Sequence, residues 1–283
     1  MSAGTRPPVR VLFCGCEGLY SASVLRQLLA CGDVEVVGVV LSTRLLKARY
    51  GFLRGAWHHV RQSGLAYALY LWVATTWTEA LSGCAMRCLI RRRTIPSLAT
   101  RNVNDATGLA FVAAARPDVL ISAFFNQRIG DDLLQVPSIA AMNVHPSLLP
   151  EFKGVDPVFY ARLQDAPRLG VTVHHLERDL DAGRILVQQG MAVSAGESVF
   201  RTTARLFALG GCLLASRLAL PLTRQSGSPQ PGQGSYGSWP SAAEVARLRR
   251  RGIALVRACD LAWARRLGAG QGADVESPQE RDC

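Results

Sequence analysis

Several features that would settle a protein's class at once are missing here. The eight cysteines, at 14, 16, 31, 84, 88, 212, 259 and 283, form no CxxC pair and no regular framework. They read as reduced thiols, not as a secreted disulfide scaffold. The opening MSAGTRPPVR lacks the basic, then apolar, then small-residue pattern of an export signal, so a cytoplasmic protein is expected. No apolar run reaches the ~20 residues that a membrane span requires; Leu65 to Leu81 falls short and carries Thr75, Thr76, Thr78 and Glu79. No internal repeat is present, which excludes a solenoid. Charge is sparse at 19% against 49% hydrophobic residues, a balance that excludes a wholly disordered chain. Acids are scarcest of all: 21 face 32 lysines and arginines, for a net +11. Nine of those eleven charges lie between Ser42 and Arg101, where ten basic residues meet the single acid Glu79. Such a bias favours anionic partners, whether phosphates, carboxylates, nucleic acid or acidic membranes.

What is present is a run of alternating elements. Val9–Phe13 is a short β-branched and apolar stretch, followed by the turn Cys14-Gly15-Cys16-Glu17-Gly18 and by Ser21–Ala30 with leucines at helical spacing. Val34–Leu41 is almost continuously apolar, as a strand buried on both faces of a parallel sheet must be. Asn104–Ala115 predicts a helix begun by an Asn/Asp cap, and Val119–Phe125 a second buried strand. Ile129–Leu134 fits a short helix, Ala140–Val144, Val171–Leu176 and Ile185–Val193 fit strands, and Ser198–Leu218 fits a long helix. The expected fold class is α/β, a Rossmann-like, mostly parallel sheet over residues 8–222.

Three segments depart from that rhythm. Residues 42–101 form a basic, aromatic-rich helical insertion. Within it, 65–81 reads either as an amphipathic helix in peripheral contact with a membrane or partner, or as a helix packed on the sheet with a solvated basic flank. Residues 223–241 are rich in Gly, Ser, Pro and Gln and read as a linker or arm. Residues 242–283 predict a short helical extension, with Gly252 a candidate break, and a frayed tail beyond Gly268.

The chemistry concentrates in Asn143-Val144-His145-Pro146-Ser147-Leu148-Leu149-Pro150, Lys153-Gly154, Pro157, Gly170-Val171-Thr172-Val173-His174 and Asp181-Ala182-Gly183. Asn143 and His145 stand two apart at a strand end, so both project from one face, and Asp181 precedes the next strand. Amide, imidazole and carboxylate would meet at strand ends, where open α/β sheets place their sites. No Ser or Cys nucleophile accompanies them. Acyl transfer to an amine suits this set, because the amine is its own nucleophile and the protein need only stabilise an oxyanion and move a proton. Asn143 would donate to the oxyanion, His145 would polarise it, and Asp181 would favour charged His145 or accept the amine proton. His174 and His175 are adjacent and point to opposite faces, so no metal is expected between them. Gly15 and Gly18 read as turn glycines, since G-x-x-G without a third glycine is a weak dinucleotide signal. Cys14 and Cys16 read as small buried thiols, and Arg91-Arg92-Arg93 as a solvated face in preference to a nucleic-acid contact.

These motifs resemble the folate-dependent formyltransferases, the catalytic domain shared by methionyl-tRNA, glycinamide ribonucleotide and sugar-amine N-formyltransferases. The resemblance covers roughly residues 9–220 apart from the insertion. It implies that Asn143, His145 and Asp181 are catalytic and that 10-formyltetrahydrofolate is the formyl donor. It places the donor against Phe124, Phe125, Asn126, Ile129 and Asp179, and the acceptor against Gly15, Ser147, Gly154, Pro157 and His174. Lys153 stands where the family usually has arginine, which keeps the charge but loses the bidentate fork. Glu17 stands in the turn where the glycinamide ribonucleotide enzymes hold a phosphate, which disfavours that acceptor. The methionyl-tRNA enzymes append a barrel domain that 61 residues after Leu222 do not match, so nucleic acid is not the favoured acceptor. A small amine is expected, an amino sugar or a nucleotide-linked one among the candidates. A methionyl-tRNA formyltransferase-like enzyme, a formyltetrahydrofolate hydrolase and a non-catalytic scaffold on the same domain are the alternatives.

Overall fold

The computed structural model describes residues 7–43, 52–77 and 86–268. β1 (Val9–Cys16) is buried along nearly its whole length, and α1 (Leu19–Ala30) returns over the sheet to β2 (Val34–Ser42). Both strands lie inside a parallel ladder, which explains why they read as continuous apolar runs and not as alternating ones. The insertion follows as α2 (Phe52–Ser63), α3 (Leu65–Trp72) continued by a π turn over Val73–Trp77, and α4 (Met86–Arg92). Then come β3 (Ser97–Thr100), α5 (Ala106–Ala115), β4 (Val119–Ala123), α6 (Asp131–Gln135) and β5 (Ala140–His145). Asp105 caps α5 by accepting the Gly108 N–H at 2.8 Å.

After β5 the chain makes the two-residue β6 (Lys153–Gly154), α7 (Pro157–Leu163), β7 (Leu169–His175), β8 (Ile185–Met191) and the long α8 (Val199–Leu218). The seven-stranded sheet runs β3-β2-β1-β4-β5-β7-β8. It is parallel from β3 to β5, while β7 pairs antiparallel with both β5 and β8. That reversal sets Asn143 directly opposite His174.

The segment 223–241 is not a loose connection. Ser228 bridges Ile185, and β9 (Tyr236–Gly237) pairs in parallel with Lys153 and Gly154. Beyond it, α9 (Ala242–Arg250) starts with a capping box between Ser241 and Glu244. The chain then leaves helical geometry before α10 (Ala258–Gly268). The break spans more than Gly252 because Ala254 and Leu255 give their carbonyls to the Val199 and Phe200 N–H groups at 3.0 and 2.9 Å, satisfying the start of α8. Val245, Leu248, Ile253, Leu255 and Ala264 join the same apolar core as β1, α1 and α8. The expected tail beyond residue 268 lies outside the described residues, as do 44–51 and 78–85 of the insertion and thus the end of the 65–81 segment.

One side of α3 packs inward and the other is exposed. Tyr67 and Tyr70 point inward and are buried, Tyr67 donating to Asp156 at 2.8 Å, whereas Leu65, Leu69 and Trp72 are exposed. Among the described residues no helix is long and apolar enough to cross a membrane.

Candidate functional site

Asn143 and His145 sit at the carboxyl end of β5, with His174 beside them on β7. Asp181 reaches them from the loop before β8 with a left-handed backbone, φ +52°. Its Oδ2 accepts the Gly154 N–H at 2.8 Å, and its Oδ1 lies 3.6 Å from His145 Nδ1 and 3.7 Å from His174 Nε2. Four side chains from three separate segments thus share one point.

The hydrogen bonds fix the tautomers. His174 Nδ1 lies 2.8 Å from the His175 carbonyl and must carry the proton it donates there. Burial holds the His174 imidazole well below its ordinary value, at about 4, against the opposing pull of Asp181, so it is neutral near pH 7. Its Nε2 is then a bare acceptor. It takes one N–H from Asn143 Nδ2 at 3.2 Å, and the short distance to Asp181 is not an ion pair. This orients the Asn143 amide: its other N–H points away from His174, and Asn143 is only half-buried. His145 Nε2 donates to the Phe152 carbonyl at 2.9 Å, which leaves Nδ1 as the nitrogen facing Asp181. His145 is 4% exposed, so both of its nitrogens address protein groups. The Phe152 carbonyl comes from a loop seven residues further on, whose position no local pattern reveals.

The arm closes the site from behind. Gln230 Nε2 donates to the carbonyls of Asp181 and Gly183, each at 2.8 Å. Ser235 accepts the Phe152 N–H through Oγ and the Lys153 N–H through its carbonyl, both at 2.9 Å. Gly154 has φ +104°, and a Cβ there would lie 2.0 Å from the Gly237 carbonyl oxygen. The backbone that presents an N–H to Asp181 is therefore clamped against β9. Gln230 and Ser235 escaped the sequence reading, since Gly/Ser/Pro-rich composition signals an irregular path but not where that path docks.

The other residues of the expected site occupy varied surroundings. The Phe124 ring turns into the core, edge-on to Tyr20 at 4.9 Å and to Phe207 at 5.9 Å, and its carbonyl accepts the Cys16 N–H at 3.1 Å. Ile129 is buried in the second apolar cluster, on which Phe125 also packs. Gly15 is closed off as well, since a Cβ there would meet Ser21 at 2.8 Å. Pro157 is buried in the first turn of α7, and Ser147 bonds Glu151 at 2.7 Å to hold the turn between β5 and β6. Phe124, Ile129, Gly15 and Pro157 thus pack into the layers beneath the site. Asn126 and Asp179 are exposed, Asn126 accepting from Ser42 at 2.6 Å. Cys14 and Cys16 are buried, and burial raises both thiols, Cys16 to about 12. His175 faces away from the site and bonds the Ser226 carbonyl at 3.0 Å.

The amide, the two imidazoles and the carboxylate all lie within a stretch of the chain that matches a family model. Residues 87–218 fit the model described as formyl transferase. That stretch of the chain is similar to formyl transferases. The chain's curated relatives include methionyl-tRNA formyltransferase of Anaeromyxobacter dehalogenans (strain 2CP-1 / ATCC BAA-258), 34% identical over 142 residues, covering 50% of this chain and 46% of that protein. Methionyl-tRNA formyltransferase of Roseiflexus sp. (strain RS-1) is 29% identical over 224 residues, covering 79% of this chain and 60% of that protein. The chain thus spans about half the length of the first of these relatives and less than two thirds of the second. Among solved structures, a sugar N-formyltransferase from Shewanella sp FDAARGOS_354 superposes with TM-score 0.52 at 15% identity, covering 81% of this chain and 76% of that one. A phosphoribosylglycinamide formyltransferase from Coxiella burnetii gives 0.53 at 17% identity, covering 82% and 99%. The chain therefore shares its fold with formyltransferases named for different acceptors.

Proposed function

We propose that this protein transfers a formyl group from 10-formyltetrahydrofolate to a primary amine, with Asn143 and Asp181 acting on the reacting atoms. The observation that carries the reading is the oriented amide: neutral His174 takes one N–H of Asn143, and the second N–H is left for a ligand. Attack of an amine on a formyl carbon builds negative charge on the formyl oxygen, and a fixed donor stabilises that charge without reorganising. The attacking nitrogen must also shed a proton, and the bond between the formyl carbon and the donor nitrogen breaks as that nitrogen takes a proton up. The Asp181 carboxylate is 12% exposed on its side chain and stands 3.6 Å from His145 Nδ1, so a proton shed by the amine is taken up at this pair. Gly154 and Gln230 are positioning residues that hold Asp181 from its two sides.

The donor set fits a formyl carrier. The donor supplies a formyl group on nitrogen, so no nucleophilic side chain is required and none stands in the cluster. Exposed Asn126 and Asp179, with the loop between β4 and α6, would hold it, while Phe124 and Ile129 serve as its apolar backing. For the acceptor we favour an amino sugar or another small amine. Glu17, at the end of β1, is ion-paired with Arg87 of α4, a carboxylate unsuited to cradle a free phosphate.

The test is to incubate the protein with 10-formyltetrahydrofolate and a panel of amino sugars, nucleotide-linked amino sugars and glycinamide ribonucleotide, following N-formyl products by mass spectrometry. Asn143→Ala and Asp181→Ala should each lose about 10²-fold or more in turnover while melting within a few degrees of wild type. Wild-type rates in both variants would sink the mechanism. Formate release that ignores every amine would assign water as the acceptor.

A further inference from the structure

The insertion presents an apolar stripe with a fixed outward direction. Leu65, Leu69 and Trp72 follow one another by four and three residues on α3 and are 62%, 51% and 47% exposed; Trp57 on α2 is 63% exposed. Residues at that spacing line one side of a helix. The opposite side is anchored. Tyr67 and Tyr70 are buried, Tyr67 donates to Asp156, and Tyr70 lies 3.4 Å from the Tyr20 hydroxyl. Rolling α3 to hide its leucines would expose two tyrosines and break the bond to Asp156, so the stripe is a property of the fold.

Large apolar side chains clustered at the surface mark an interaction site, and the surrounding charge indicates which kind. Arg61, Arg91, Arg92 and Arg93 are exposed on α2 and at the end of α4, within the segment that holds nine of the eleven excess positive charges. Leucine and tryptophan on a segment rich in exposed arginines suit the boundary between acyl chains and anionic headgroups, where rings sit at the interface and guanidiniums meet phosphates. A helix of eight residues rises only about 12 Å, far short of a span, so it would lie flat.

We propose that the α2–α3 face docks this protein on an anionic lipid surface, with Trp57, Leu65, Leu69 and Trp72 entering the headgroup region. The docking does not depend on the formyl-transfer reading and is measured without folate or amine.

The full chain is sedimented with vesicles of phosphatidylglycerol and phosphatidylcholine, and separately with phosphatidylcholine alone. Wild type should pellet with the anionic vesicles, stay in solution with the neutral ones, and release as salt is raised to 1 M, where screening is nearly complete. The double variant Leu65→Ser, Leu69→Ser should bind anionic vesicles roughly tenfold more weakly or worse and melt at the wild-type temperature, because both side chains are exposed. Arg91→Glu with Arg92→Glu should also weaken binding. Three outcomes overturn the proposal: wild type that ignores anionic vesicles at millimolar lipid, a double serine variant that binds as well as wild type, or a lipid-indifferent dimer in light scattering that the serines dissociate. The last would assign the face to a second copy of the chain.

Discussion

Gly154→Ala strikes at the contact between the arm and the carboxylate. At φ +104° an L-residue is outside even the left-handed helical region, a strain of about 1–2 kcal/mol. The new Cβ would lie 2.0 Å from the Gly237 carbonyl oxygen, so the strands must part by about 1 Å to reach a tolerable contact. Parting them weakens the Lys153 N–H to Ser235 and Val155 N–H to Gly237 bonds, 2.9 and 3.0 Å long, for about 1 kcal/mol each. The sum is about 3–4 kcal/mol. For a chain of this size that corresponds to a melting point lower by roughly 6–15 °C. Gly232→Ala supplies the control: its φ is +79°, but nothing lies within 4 Å of a Cβ there, so only the backbone strain of about 1 kcal/mol applies. Thermal unfolding by circular dichroism separates the two. Equal melting points for both variants would refute the clamp, and with it the argument that β9 sets the position of the Gly154 N–H. If the clamp is real, Gly154→Ala should also lose turnover beyond what its stability explains, since Asp181 depends on that N–H.

Two further outcomes follow from the same geometry. Gln230→Ala removes both donors to the Asp181 and Gly183 carbonyls, worth about 1–2 kcal/mol together; hydrogen exchange across 179–184 should accelerate while the remainder of the sheet keeps its protection, and unchanged exchange there would show that the arm does not hold the loop. Asp156, buried at the start of α7, has its carboxyl pushed up to about 6 by that burial. Between roughly pH 4 and 6 the folded state therefore holds a proton that the unfolded chain has released, so ionised Asp156 costs stability above pH 6 and costs none below pH 4. Asp156→Asn lacks this penalty, so its stability minus that of wild type should rise from pH 4 to pH 7 by up to about 3 kcal/mol. His174 contributes the opposite slope, losing stability as pH falls from its unfolded value towards about 4, but it is common to both proteins and cancels in the difference. A difference that does not change with pH would contradict the buried carboxylate.

The sequence by itself carried the elements whose signals are local. Continuous apolar runs marked β1, β2 and β4 because strands in a parallel ladder are covered on both faces, and the asparagine–aspartate cluster before Ala106 marked the start of α5 because orphan N–H groups need a side-chain acceptor. Alternation also placed Asn143 and His145 together at one strand end. The order in which side chains meet across the fold was decided elsewhere. Only antiparallel pairing of β7 sets His174 against Asn143, where its ring takes an N–H of the amide. Only the docked arm explains why Gly154 must lack a side chain and why Asp181 stays in place. Phe124 shows the same limit from the other side: its position at a strand end was legible, but which layer its ring entered depended on Tyr20 and Phe207, far away in the chain. Periodicity is written along the backbone and is read there. Contacts between distant segments are selected by packing and by the need to satisfy buried polar groups, and those conditions exist only once the chain has folded.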